Sequence, residues 1–270
     1  MADRAATLRW CGGGIVEIAS SDGKDLLFID AWFWNNAGWE RFDVAKPAEY
    51  ASPEGFVDYV TAKDPESVLI ALTHDHGDHV KDYFEALRAL SDAGVNVRTT
   101  AQADLVQFHL MDQYTDAGID VETVVANSGR GANIGGTTRH GGMTTWTVPA
   151  VHSTTAGFPA VGYVVEVGGV RLYCSGDTDL FGDMALIGER YDPDVAVVCI
   201  GNGPFTMGPD GAARAVKMLG ASHAVPIHYA HNPLVRQPDA GPEFEDLVSQ
   251  QDSSIRTHVI RPGDSVTFEF

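Results

Sequence analysis

The stretch THDHGDH at residues 73–79 carries more information about the fold than any other part of the sequence. It follows a short apolar run at residues 68–72, which predicts a strand, and precedes VKDYFEALRAL at residues 80–90, whose apolar spacing predicts a helix. In α/β folds, ligands usually bind at the carboxyl ends of the strands. A metal ion gives these imidazoles and carboxylates a common partner, so the stretch predicts a metal site.

The spacing within this stretch suits two ions rather than one. His74 and His76 alternate along an extended segment, so their side chains can point the same way. Asp78 and His79 lie at the turn that follows, from which they can reach a second ion beside the first. A polar loop with incidental histidines is the alternative interpretation, and further candidate ligands elsewhere in the chain argue against it.

Three more candidate ligands lie at the ends of predicted strands. His152, Asp177 and His228 each come shortly after an apolar run of strand length. If these strands belong to two sheets whose ends converge, all of these ligands lie around one pocket. There, a carboxylate can bridge two ions about 3.5–4 Å apart. Together with the first stretch, these residues predict a dinuclear metal site.

The rest of the chain predicts two sheets with helices outside them. Strands at 7–11, 15–19 and 26–30 are joined by tight turns, which predicts that the chain begins with an antiparallel sheet. Strand and helix patterns then alternate, and a second set of hairpin strands begins at residue 144 and is again followed by alternation. Because no linker interrupts this order, we predict a single domain over residues 1–270 in which two sheets pack face to face.

Composition excludes some classes of partner. The chain has 37 Asp and Glu against 18 Lys and Arg, a formal charge of -19, which disfavours a nucleic-acid partner. Cys11, Cys174 and Cys199 are odd in number and far apart, so we expect buried free thiols and a reducing compartment. Neither a signal-peptide pattern nor a run of about 18 apolar residues is visible, so we predict a cytoplasmic protein without a membrane span.

These motifs resemble those of a known family. Residues 74–79 are similar to the HxHxDH signature of the metallo-β-lactamase superfamily, and His152, Asp177 and His228 follow in the order of its remaining ligands. Further segments resemble the branch that contains ascorbate-6-phosphate lactonase and a set of uncharacterised metal-dependent hydrolases. Those segments are NIGG at 133–136, VPAVHS at 148–153, SGDTDLFGDM at 175–184, FTMGP at 205–209 and PIHY at 226–229.

The resemblance implies an αββα four-layer sandwich and two divalent ions in each chain. It assigns His74, His76 and His152 to the first ion, Asp78, His79 and His228 to the second, and Asp177 to both. Zinc is the first expectation, and manganese, iron and nickel also fit because no thiolate is among the ligands.

The activity that follows is hydrolysis of a small-molecule lactone, ester or amide by a metal-bound hydroxide. Asp78 is the catalytic carboxylate that would orient the nucleophile or pass on its proton.

The sequence departs from the resembled branch at two places. Relatives usually carry a histidine after the first Trp-x-Gly, where this chain has Gly13. Residues 31–66 form an aromatic-rich insertion, longer than expected. Within it, Trp32 and Trp34 are candidates for the wall of a pocket that binds a hydrophobic or aromatic substrate. A subunit interface of a homo-oligomer and ordinary core packing are the alternatives.

Three other side chains are weaker candidates near the site. Tyr229 and His231 follow the ligand His228 and are proposed as catalytic donors to a substrate oxygen, although a tyrosine after a buried strand is often only a packed residue. Asn202 is a candidate substrate-binding residue, or an asparagine that adopts the left-handed conformation of a turn.

Other reactions remain open at this point. A phosphodiesterase or phospholipase uses the same dinuclear geometry, but Lys81 is the only basic residue near the ligand motifs, and phosphate esters favour extra positive charge. An iron-dependent persulfide oxygenase of the same fold would hold one iron and consume oxygen. A metal-stabilised binding protein is the alternative to an enzyme.

Overall fold

A computed structural model describes residues 4–270 of the chain, in which two β-sheets are covered by helices. The strands are β1 (Ala5–Trp10), β2 (Val16–Ser20), β3 (Asp25–Ile29), β4 (Ser67–Leu72), β5 (Val97–Ala101), β6 (Thr137–His140), β7 (Met143–Pro149), β8 (Val161–Val167), β9 (Val170–Cys174), β10 (Val195–Cys199), β11 (His223–Ile227), β12 (Arg256–Thr257) and β13 (Ser265–Glu269). The helices are α1 (Pro53–Ala62), α2 (Gly77–Val80), α3 (Tyr83–Asp92), α4 (Ala103–Leu105), α5 (Met111–Asp116), α6 (Val121–Val124), α7 (Ala126–Gly129), α8 (Met184–Tyr191), α9 (Pro209–Leu219) and α10 (Ala240–Gln251).

The first sheet has the strand order β13-β1-β2-β3-β4-β5. Strands β13, β1, β2 and β3 pair antiparallel, whereas β3, β4 and β5 pair parallel, with Ile70 opposite both Phe28 and Thr99. Strand β4 therefore has a parallel neighbour on each side, and every one of its residues is buried. This burial on both faces explains its continuous apolar sequence.

The second sheet has the order β12-β11-β10-β9-β8-β7-β6. Strands β6 to β9 form an antiparallel meander, and β9, β10, β11 and β12 pair parallel. Parallel strands place their carboxyl ends at one edge of a sheet. The segments that follow β9 and β11 consequently leave the sheet on the same side.

Alternate residues of the first sheet bury into two different cores. Leu27 and Leu69 belong to a cluster that also contains Val164 of the second sheet. Phe28 and Ile70, one residue further along their strands, belong to the cluster that holds the helices α1 and α3. The predicted αββα sandwich is confirmed, because each sheet has one face on the other sheet and one face on helices.

The helix predicted over residues 80–90 is divided in two. Helix α2 ends at Val80 and α3 begins at Tyr83, with Asp82 between them at φ -100° and ψ 3°. The Asp82 carboxylate accepts hydrogen bonds from the backbone N–H of Phe33 at 2.6 Å and of Asn35 at 3.3 Å. A contact with residues far away in the sequence thus interrupts a pattern that is locally helical.

Several aromatic side chains of residues 31–66 belong to the core against the first sheet. Phe33 is stacked on Phe56 with ring centroids 4.5 Å apart, and Tyr50 is stacked on Phe33 at 5.9 Å. The amide of Asn36 donates to the carbonyls of Cys11 at 3.1 Å and Gly12 at 3.0 Å. The insertion, which contains α1, is therefore anchored to the turn between β1 and β2.

Two further expectations can be compared with the structure. Cys11, Cys174 and Cys199 are all buried and free, as expected. Burial raises the pKa of the Cys11 and Cys199 thiols to about 12, so neither ionises near neutral pH.

Within residues 4–270, no helix combines the length and the apolar character that crossing a bilayer requires.

Candidate metal centre

The structure brings the predicted ligands of both sheets to one place. His74, His76, Asp78 and His79 follow β4, and the remaining ligands follow strands of the second sheet. Those remaining ligands are His152 after β7, Asp177 after β9 and His228 directly after β11. Residues that are up to 154 positions apart in the sequence therefore meet where the carboxyl ends of these strands converge.

One group of ligand atoms surrounds the first candidate ion position. His76 Nδ1 lies 3.0 Å from His74 Nε2 and 3.3 Å from His152 Nε2. His152 Nε2 lies 3.7 Å from Asp177 Oδ2. Nitrogen and oxygen atoms at these separations can share an ion with bonds of about 2.0–2.2 Å.

A second group lies on the other side of Asp177. His79 Nε2 and His228 Nε2 are 3.0 Å apart, and they lie 3.5 Å and 3.3 Å from Asp177 Oδ1. Asp78 Oδ2 is 3.7 Å from His228 Nε2. Because Oδ2 of Asp177 faces the first group and Oδ1 the second, this carboxylate is in position to be shared.

Asp30 and Thr73 orient two of the imidazoles. The buried Asp30 carboxylate accepts hydrogen bonds from His79 Nδ1 at 2.6 Å and from the Thr73 hydroxyl at 2.7 Å. Since that hydroxyl donates to Asp30, it accepts from His74 Nδ1 at 2.9 Å. In its neutral form each ring therefore carries its proton at Nδ1 and offers Nε2 to a metal ion.

Asp30 itself contacts His79 rather than facing the cavity. Its position at the end of a predicted strand was the only sequence signal for this role.

A second supporting carboxylate, Asp75, was not singled out by the sequence. It accepts hydrogen bonds from the backbone N–H of Thr155 at 2.8 Å and of Ala156 at 2.9 Å. The loop that follows His152 is thereby tied to the stretch that follows β4. The only sequence signal for Asp75 was its place between the two histidines of the HxH pair.

The electrostatics of the cluster favour a bound cation. Burial lowers the pKa of the His74 and His152 imidazoles, so both rings are neutral at pH 7. Burial opposes a charge on Asp177, but His228 and His79 outweigh it and hold the pKa of its carboxyl well below the usual range. Burial likewise opposes a charge on His79, yet Asp177 and Asp30 raise the pKa of its imidazole well above the usual value.

Unpartnered atoms in the cluster test whether a metal ion fits. Asp177 Oδ1 and His228 Nδ1 are buried and have no hydrogen-bond partner among the described residues. A buried carboxylate oxygen without a donor is costly unless a cation compensates it. The donors are imidazole and carboxylate without thiolate, which fits zinc, manganese, iron or nickel.

Backbone at Gly13 and Gly14 supports the second group. A Cβ on Gly14 would lie 2.7 Å from His228 Cδ2 and 2.7 Å from His79 Cε1, so only glycine leaves room for both rings. The Gly13 carbonyl accepts from the backbone N–H of His228 at 3.0 Å. Trp32 ring carbons lie 3.2 Å and 3.3 Å from the place of a Gly13 Cβ. The chain thus holds His228 with backbone where the resembled branch has a histidine side chain.

The two ligand groups open into a cavity of about 280 Å³. Asp78 and His231, two of the predicted catalytic residues, line it. Its other lining residues are His76, Gly77, His152, Asp177, Phe205, His228 and Asn232. None of these is Lys or Arg.

The structure places the third predicted catalytic residue, Tyr229, elsewhere. Its ring is buried, stacked on Trp10 with centroids 5.2 Å apart and edge-on to Phe42 at 5.3 Å. His228 lies directly after β11 with φ 57°, and the turn that begins there directs its side chain to the ligands while Tyr229 packs in the core. This corrects the expectation that Tyr229 donates to substrate and matches the alternative of a packed residue.

The predicted substrate-binding residues are not among those that line this cavity. Trp32 lies against Gly13, and the Trp34 indole N–H donates to Glu85 at 3.1 Å. Asn202 has φ 53°, the left-handed turn conformation that was its alternative interpretation. Phe205, which sequence reasoning missed, is the aromatic side chain that lines the cavity. Its place in a loop after a strand was the available signal.

Comparison with known proteins identifies the family. The model of the β-lactamase superfamily domain matches residues 31–229. The chain belongs to the metallo-β-lactamase superfamily. Among curated relatives of this superfamily member, a UPF0173 metal-dependent hydrolase of Thermofilum pendens is 36% identical and aligns over 97% of this chain and 99% of the relative. Another, from Pyrobaculum arsenaticum, is 35% identical over 95% of this chain and 97% of the relative.

Solved structures agree with the assignment. Igni18, a metallo hydrolase from the archaeon Ignicoccus hospitalis, has a TM-score of 0.73 and 28% identity, and the alignment covers 98% of this chain and 99% of Igni18. The metallo-β-lactamase fold protein YhfI from Bacillus subtilis has a TM-score of 0.67 at 14% identity over 98% of this chain and all 100% of YhfI, a likeness of fold alone. This superfamily member is a metal-dependent hydrolase.

Proposed function

We propose that this hydrolase cleaves a lactone, ester or amide bond of a small molecule with the help of two divalent ions, zinc first among them. The observation that carries the proposal is Asp177, whose two oxygens face two separate groups of imidazoles in one cavity. A single ion would leave one of these groups without a common partner.

The residues divide between the two ions as follows. His74, His76 and His152 would hold the first ion. Asp78, His79 and His228 would hold the second, and Asp177 would bind both. When bound, such ions lower the pKa of water to about 7 and polarise a carbonyl oxygen.

Asp78 is the residue suited to moving a proton. Its side chain is 33% exposed, which is the highest exposure among the carboxylates of the cluster, and it lines the cavity. Burial opposes its charge, but the neighbouring His79 and His228 imidazoles lower the pKa of the Asp78 carboxyl below its usual value. Asp78 is therefore ionised at neutral pH and accepts a proton at its carboxylate oxygen.

The lining of the cavity supports a carbonyl substrate over a phosphodiester. Phosphate esters are usually held by Arg or Lys in addition to metal ions, and neither is among the described residues that line the cavity. Phe205 offers an apolar surface next to the ligands, which suits a substrate with a hydrophobic or aromatic part.

Metal content and a substrate screen test the proposal together. We expect about two equivalents of zinc by elemental analysis of the reconstituted protein, and hydrolysis of at least one compound among lactones, aryl esters and amides. Preference for phosphodiesters would contradict the substrate class. One iron per chain with oxygen consumption would instead indicate a persulfide oxygenase.

Ligand variants make the screen specific to the cluster. Asp177→Ala should lose bound metal and reduce turnover by more than the roughly 10–100-fold that loss of an outer partner costs. Asp183→Ala is the matched control, because Asp183 is exposed and makes no side-chain cap bond at the start of α8. Equal turnover of Asp177→Ala and the control would contradict the proposal.

A further inference from the structure

The segment after β11 carries a second imidazole beside the ligand His228. His231 is three residues further along, and its ring centroid lies 4.2 Å from that of His228 at an interplanar angle of 68°. His228 and Ala230 both have φ of 57°, a left-handed conformation that turns the chain sharply between the two histidines.

Backbone hydrogen bonds hold this turn in place. The N–H of His228 donates to Gly13 at 3.0 Å, and the N–H of Ala230 donates to Arg236 at 2.7 Å. A non-glycine residue in the left-handed region persists only where its surroundings enforce it, and such residues cluster at functional sites. The turn brings the two rings side by side at the cavity.

The His231 ring faces the second ligand group. Its Nε2 lies 3.7 Å from Asp78 Oδ2, the same distance that separates His228 Nε2 from that oxygen. The ligand atoms of Asp78, His228 and His231 all lie within 4.8 Å of one another. Three donors at these separations can surround a single ion with bonds of about 2.0–2.2 Å.

His231 is also buried without the partners that a structural histidine would have. Its side chain is 3% exposed, and its Nδ1 has no hydrogen-bond partner among the described residues. Buried polar side chains are normally hydrogen-bonded, so an imidazole in this state requires an explanation. Its Nε2 faces the Asp78 carboxylate, so this is the nitrogen through which the buried ring would bind an ion.

We propose that His231 is an additional ligand of the second ion, beside Asp78, His79, His228 and the shared Asp177. This inference rests on the proposed dinuclear centre and makes its two positions unequal. The second position then has five protein ligands, whereas the first has four, which are His74, His76, His152 and Asp177. With fewer protein ligands, the first ion would have a coordination position free for substrate. Catalytic metal sites keep such a free position, whereas in structural sites the protein fills every position.

The test measures metal affinity in His231→Phe, which keeps a ring and removes the ligand atoms. Competition with a chromophoric chelator should show that one of two zinc ions binds at least about tenfold more weakly, as expected when a metal's protein partner is lost. The other ion should keep its wild-type affinity. His140→Gln is the control, because this histidine lies at the end of β6 and its Nε2 contacts the carbonyl of Asn96.

Cobalt provides a readout of coordination that does not depend on activity. In protein loaded with two Co²⁺ ions, His231→Phe should change the visible absorption of one ion, because its coordination number changes. His231→Ala should give the same result, which guards against misfolding caused by the larger phenylalanine. Circular dichroism of both variants checks that the fold is retained.

The possible outcomes separate the two proposals. If wild type binds two ions and His231→Phe binds both with unchanged affinity and cobalt spectrum, His231 is not a ligand and the inference is wrong. If turnover falls while both ions stay bound as in wild type, His231 acts on substrate, which also overturns it. If wild type itself does not bind two ions, the dinuclear proposal fails.

Discussion

Asp177 is the residue on which the character of the centre depends. It is buried at the end of a strand in the second sheet, and its two oxygens face imidazoles contributed by both sheets. In the proposed centre with two ions, a carboxylate in this position is shared between them. The residues behind the ligands, above all Asp30, then determine how firmly each imidazole is held.

Asp30→Asn is predicted to weaken metal binding without removing a ligand. The substitution keeps the shape of the side chain but removes the charge that accepts from His79 Nδ1 and Thr73. Loss of such an outer partner costs roughly 10–100-fold in metal affinity, so we expect a decrease of that size in chelator competition.

Asp25→Asn is the matched control at the other end of the same strand. Asp25 accepts from the backbone N–H of Gly142 at 2.9 Å, far from the ligands along β3. Its variant should keep wild-type metal affinity. If both variants bind metal equally well, Asp30 has no role in orienting His79.

At the scale of elements, a pair of stacked histidines lies at the edge of the second sheet and is expected to make its stability depend on pH. His223 at the start of β11 and His258 just after β12 are stacked, with ring centroids 5.1 Å apart and His223 Nδ1 2.8 Å from His258 Nε2. Burial, with Arg256 beside His223, lowers the pKa of both imidazoles. Asp194 opposes this shift at His223 but does not outweigh it.

This pair predicts a loss of stability in mild acid. Each folded pKa lies below the unfolded value of about 6.5, so the unfolded chain binds the protons more tightly. The contribution of the pair is complete above pH 6.5 and decreases as the pH falls below it. The melting temperature should therefore decrease less between pH 7.5 and pH 5.5 in His258→Gln than in wild type.

Saturating zinc in both samples keeps the metal centre from dominating this comparison. The wild-type and His258→Gln melts then differ only through the stacked pair. Parallel dependence of the two melting temperatures on pH would show that this pair does not couple to folding in the way predicted.

At the scale of the whole molecule, the candidate centre connects the two sheets. His74 follows β4 of the first sheet, whereas Asp177 and His228 follow strands of the second. Ions bound between them stabilise only the folded chain, in which these residues meet. The interface between the sheets is therefore expected to depend on metal as well as on its apolar core.

Metal removal is predicted to lower the thermal stability. A ligand present at a hundred times its Kd stabilises the folded state by about 2.7 kcal/mol, so chelation should lower the melting temperature by several degrees and added zinc should restore it. Calorimetry of wild type and Asp177→Ala measures the effect. Unchanged melting of chelated wild type would contradict ion binding between the sheets.

Much of the fold was predictable because its signals are local. The strands predicted at 7–11, 15–19 and 26–30 correspond to β1, β2 and β3 within two residues at each end, since apolar runs and tight turns mark them. The division of residues 80–90 into two helices was not predictable. It depends on Asp82 and its contact with Phe33, which lies 49 residues away.

The sequence by itself determined the types of candidate ligand and their places at strand ends, because each lies next to an apolar run that predicts its strand. Only the tertiary structure decided which way the neighbouring side chains face. In the folded chain, Tyr229 packs in the core and Trp32 lies against Gly13. Asp30 contacts His79, and His231 lies beside Asp78. Those contacts join distant segments or follow from backbone turns, so packing rather than local pattern sets them.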